Sequence, residues 1–132
     1  MTQHASGLFD VTITPQEATS FDTPLGRILL DKQYHGELDG QSKGEMMAFL
    51  NPGNGSRAYV AIEKVTGTLG GRSGTFALLH QGTLTSAGQA LAVVVAPGSG
   101  TGALDGLEGT MTIKIVEKEH FYALDYTLPE SK

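Results

Sequence analysis

Tyr59, Glu63 and His80 are the residues whose types and spacing bring acid–base or ligand-binding chemistry within reach of one place in the chain. In Tyr59-Val60-Ala61-Ile62-Glu63-Lys64-Val65 a period-2 alternation puts Glu63 on one strand face with Tyr59, Ala61 and Val65, and Lys64 on the other. The chain then meets Gly70-Gly71, a pair suited to a two-residue hairpin turn. Such a turn pairs Val65 with Phe76, Glu63 with Leu78, Ala61 with His80 and Tyr59 with Gly82, so all of these share one face. His80 is then diagonal to Glu63, at roughly 7–8 Å between backbone positions, a gap their side chains can close. A carboxylate among Val65, Phe76 and Leu78 is poorly solvated, which predicts a raised pKa suited to acid–base work. The carboxylate would in turn fix the tautomer of His80 and let the pair orient a water or share a proton. Arg72, beside the turn, offers a planar donor fork for a ligand carboxylate at a rim. The expected ligand-binding set is Tyr59, Glu63, Arg72, Phe76, Leu78 and His80, with Glu63 and His80 the catalytic candidates. The same pattern also suits a Glu63 that only hydrogen-bonds its neighbours, or a face turned to solvent.

Other chemistries are poorly served. The chain has no cysteine, which removes disulfides, thiolate nucleophiles and zinc–thiolate sites. No two of its four histidines stand at i, i+2 or i, i+4, so no metal site is expected, nor any organic cofactor. His35, between Tyr34 and Gly36, is a weaker candidate than His80. Gly98, Gly100 and Ala103 match a relaxed dinucleotide fingerprint, but Leu104-Asp105-Gly106-Leu107 cannot supply the helix N-terminus that binds pyrophosphate; a structural loop is expected. Ser73 and Ser99 lack nucleophile-elbow spacing. A formal charge of −5, with no basic stripe, argues against nucleic acid as a partner. No apolar run approaches the roughly 18 residues of a membrane helix, and the N-terminus lacks a secretion signal, so neither a membrane nor export is expected and the chain reads as cytoplasmic.

The elements that must position these residues are strands. At 132 residues with 18 glycines, the chain suits one domain, 1–132, built of short strands and tight turns. Phe9, Val11 and Ile13 alternate with polar residues in a strand ended by Pro15. Leu25 to Leu38 reads as a strand leading to a turn at Asp39-Gly40, in competition with a helix beginning near Pro24. Glu45 to Leu50 is a short strand closed by Asn51-Pro52-Gly53-Asn54-Gly55. The hairpin of Arg57–Leu69 with Arg72–Thr85 follows, then a turn at Ser86-Ala87-Gly88 and the apolar run Leu91–Val95. Thr110–Glu117 and Phe121–Leu128 form a last hairpin, turning at Lys118-Glu119-His120.

The echo G-x-L-x-G begins at Gly36, Gly67 and Gly102, and suggests repeated corners in a closed sheet. About eight strands close into a barrel whose interior fills with side chains or encloses one small ligand. The series Gly67–Phe76, His80-Gln81-Gly82-Thr83, Pro97–Leu104 and Tyr122-Ala123-Leu124-Asp125-Tyr126 resembles a family of small bacterial proteins of unknown function. The resemblance implies an all-β, eight-stranded antiparallel closed barrel, allene oxide cyclase-like or lipocalin-like, that associates as a homodimer or larger homo-oligomer. It carries over no activity. The leading expectation is a barrel that binds a small apolar ligand in its lumen. The alternatives are a cofactor-independent isomerase or cyclase with Glu63 as acid or base, and a filled barrel acting as a structural or interaction protein.

Overall fold

The computed structural model describes residues 2–16 and 25–129. Eight strands follow in chain order: β1 Gln3–Pro15, β2 Leu25–Gly36, β3 Leu38–Leu50, β4 Arg57–Leu69, β5 Arg72–Thr85, β6 Gly88–Val95, β7 Glu108–Val116 and β8 Glu119–Thr127. Each pairs antiparallel with the next, and β8 returns to β1 to close the barrel. One helical turn, the 3₁₀ segment Gly102–Leu104, interrupts the strands, and among the described residues no helix is long and apolar enough to cross a membrane.

The central hairpin has the register its sequence predicts, with Val65 opposite Phe76, Glu63 opposite Leu78 and Ala61 opposite His80. Gly70 and Gly71 turn it with φ of +57° and +86°, the left-handed pair that matches strand twist and that side chains resist. Three boundaries differ from expectation. Strand β1 begins at Gln3 because Gln3–Phe9 pair with β8, a long-range partner that the weak pattern of His4-Ala5-Ser6-Gly7 does not announce. Asp39-Gly40 is no turn: the chain reverses at Gly36-Glu37, and β3 runs unbroken from Leu38. Gly40 lies opposite Gly67 in the ladder, where an added Cβ would meet the Thr66 carbonyl oxygen at 2.4 Å, so this glycine serves close strand approach. The last hairpin turns at Glu117-Lys118, both at positive φ, which leaves His120 inside β8.

Alternate residues of every strand point inward. One half of the barrel is filled by Leu38, Val65, Leu69, Phe76, Leu78 and Leu124, all essentially sealed from solvent. Burying each such side chain contributes about 1.5–3 kcal/mol. The end of this half is plugged by the glycine-rich segment after β6, which inserts Leu104 and Leu107 into the core. Backbone bonds from Thr101 to Thr75 (2.8 Å) and from Ala96 to Ala77 (2.9 Å) fix it along β5. The segment is therefore a structural loop.

Candidate functional site

The other half of the barrel is open among the described residues. A cavity of about 590 Å³ runs into it, walled by Val11, Ile13, Leu30, Met46, Leu91 and Ile113. Tyr59, Lys32, His80 and His120 are its main polar lining. Tyr59 lies against Gly82, where a Cβ would come within 2.2 Å of its ring, so the β4–β5 register itself seats the phenol at the mouth.

At the boundary between the open and filled halves, Glu63 receives three hydrogen bonds. Lys32 Nζ donates to Oε2 at 2.7 Å, His80 Nε2 donates to the same oxygen at 2.6 Å, and the Tyr34 hydroxyl donates to Oε1 at 2.5 Å. An ionised carboxylate only accepts, so Glu63 selects the His80 tautomer with its proton on Nε2. Glu63 and Tyr34 are 0% exposed, whereas His80 and Lys32 retain 7% and 9% and border the cavity. The Lys32 ammonium also lies 4.8 Å from the Phe9 ring centroid, within reach of a cation–π attraction. Phe9 packs in turn on Tyr34 (5.4 Å) and His120 (5.1 Å).

The expected pKa of Glu63 is overturned. Burial does push it upward, but hydrogen bonds from His80, Lys32 and Tyr34 and the Lys32 charge outweigh burial and hold it at about 2. Glu63 is thus a permanent anion at neutral pH and a poor general base. Burial and the adjacent Glu63 charge raise the Tyr34 hydroxyl, which stays a neutral donor. Burial raises Tyr59 as well.

The six expected ligand-binding residues therefore separate. Tyr59 and His80 border the cavity, and Glu63 lies directly beneath it. Phe76 and Leu78 belong to the sealed half, each no more than 1% exposed, because they occur further along β5 toward the plug. Arg72 is at the plugged end, eight residues along β5 from His80 and so roughly 26 Å away, far from the open mouth. His35 points outward and pairs with Asp10 at 3.0 Å. Among the described residues no three His, Asp or Glu side chains converge to hold a metal ion.

Sequence reasoning missed Lys32, Tyr34 and His120. Lys32 and Tyr34 alternate with Leu30 on the inward face of β2, so a lysine on an otherwise apolar strand face was the available signal. Their partner is two strands away, 31 residues on for Lys32, and no local pattern specifies that meeting.

Residues 5–126 match the family described as "Protein of unknown function (DUF3224)". The crystal structure at 1.84 Å resolution of a DUF3224-family protein of unknown function from Shewanella oneidensis MR-1 is similar throughout. It has 41% sequence identity and a TM-score of 0.90, over 98% of this chain and 100% of that one. No curated protein matches the chain.

Proposed function

We propose that this chain, which belongs to the DUF3224 family, binds a small, largely apolar molecule in the open half of its barrel. The observation that carries the reading is the division of the interior: one half is packed solid, while the other holds a cavity of about 590 Å³ with apolar walls and a few convergent polar groups. That volume lies within the roughly 300–1,000 Å³ typical of small-molecule sites, as does the balance of many apolar and few polar contacts. Lys32, His80 and Tyr59 would contact the ligand, and Glu63 would act through the first two by holding them in place. A direct acid–base role for Glu63 is disfavoured, because it is sealed, ionised and saturated with donors.

Ala61 supplies the test, since it borders the cavity with a small side chain. A molecule at about 100 times its Kd stabilises the native state by roughly 2.7 kcal/mol, enough to raise Tm by several degrees. A panel of small apolar molecules should include at least one that does this for the native chain. The same molecule should fail to stabilise Ala61→Trp, whose indole fills the cavity, provided circular dichroism shows that variant folded. An undiminished shift in Ala61→Trp would place binding elsewhere, and no shift in the native chain across the panel would contradict the reading.

A further inference from the structure

The geometry points to a carboxylate as the polar end of the ligand, received by Lys32 and His80 with uptake of one proton. This inference rests on the lumen reading above and names the class of molecule the lumen takes: an apolar chain or ring system bearing one carboxylate.

Three observations lead there. First, among the described residues the inward-facing ionisable side chains that border the cavity are Lys32, His80, His120 and Tyr59, and no carboxylate is among them. In a chain whose formal charge is −5, that is a local reversal of sign, and an anion is the ligand charge it favours. Second, donors remain at the bottom of the cavity. The Lys32 ammonium has three N–H groups and gives one to Glu63, which leaves two; neutral His80 commits its one N–H to Glu63, and its Nδ1 becomes a donor only when the ring takes up a second proton. Third, the one carboxylate nearby is already satisfied. Glu63 lies behind Lys32 and His80, fully buried, and takes three donors on its two oxygens.

Charge balance adds the proton. Ionised Glu63 and the Lys32 ammonium neutralise each other, so with a neutral imidazole the bottom of the cavity carries no net charge. A second carboxylate would leave two anions against one cation in a poorly solvated place. His80 can remove that deficit by binding a proton, becoming a cation between Glu63 and the ligand. The groups facing His80 are Glu63 on β4, Lys32 and Tyr34 from β2 on that same carboxylate, and Tyr59 on β4 at the mouth. Across the cavity is His120 of β8, and among the described residues β1, β3 and β6 bring no ionisable side chain to the lining. Lys114 of β7 alternates with inward Ile113, and Lys43 and Glu45 of β3 and Lys64 of β4 border a second groove that also reaches His80.

Titration calorimetry with decanoate, 1-decanol and decylammonium, three probes with the same chain and different heads, tests the inference. Decanoate is expected to bind at least about tenfold more tightly than either other probe. Runs in phosphate and Tris at pH 7.5 should show uptake of up to about one proton per decanoate bound, and none in a folded His80→Gln. Because Lys32→Gln alone strands the Glu63 charge, the companion variant is Lys32→Gln with Glu63→Gln, in which the decanoate-to-decanol preference should collapse toward one. Equal binding of decanoate and decanol by the native chain would overturn the head-group inference and leave the apolar lumen standing. Tighter decylammonium would overturn it by sign. No proton uptake would overturn the role of His80, and no binding of any probe would overturn the inference and count against the lumen reading too.

Discussion

Lys32 and Glu63 are worth more together than either is alone. Removing one partner leaves a buried charge unpaired, which costs about 3–5 kcal/mol, whereas replacing both with apolar side chains of similar size is often neutral. Lys32→Met and Glu63→Leu should therefore each destabilise the chain by about that amount, and the double variant by markedly less than their sum. Urea unfolding of the four proteins measures this coupling; strictly additive losses would mean that the pair is not intact in solution. The same carboxylate predicts a pH dependence. Its folded pKa of about 2 is below the ordinary 4.5, so its contribution is fully present above pH 4.5 and is lost as pH falls toward 2. Stability measured from pH 5 to pH 2 should fall more steeply in the native chain than in Glu63→Gln. Equal slopes would contradict the ion pair.

At the scale of elements, the weakest joint is between β6 and β7. Only Val93 with Met111 and Val94 with Thr110 are paired there, whereas β4 and β5 share an unbroken ladder from Arg57–Leu84 to Leu69–Arg72. The unpaired parts of both strands flank the cavity, at Leu91 on one side and Ile113 on the other. Backbone amides of β7 from Thr112 to Val116 that face β6 should exchange with solvent much faster than those of β4. Hydrogen exchange read by NMR checks this, and equal protection would show the seam closed. This joint was not legible in the sequence, where Leu91–Val95 reads as an apolar run and nothing in it says how far the strand pairs. The β4–β5 hairpin was legible to the residue, because alternation and a Gly-Gly turn fix its register without outside help. The Glu63–His80 contact follows from that register, since both residues lie on one hairpin. Lys32 and Tyr34 were not, because barrel closure brings β2 to Glu63. Arg72, Phe76 and Leu78 share the face of His80, and alternation says which face is common but not where along the barrel the packing stops.

Among the described residues the barrel has a filled half and an open half, and Glu63 marks the division. The filled half supplies the rigidity: Leu78→Ala there would cost about 2–5 kcal/mol through lost burial and a residual cavity. The open half keeps its donors aimed by an ion pair set into the packed layer below, so position and stability come from the same residues. The most direct test of this division is native mass spectrometry of the chain purified from its own host, followed by solvent extraction of whatever co-elutes. The expected result is one small, largely apolar molecule per chain, absent from Ala61→Trp purified in the same way. A clean apo mass, together with no thermal stabilisation by any member of an apolar panel, would contradict the account.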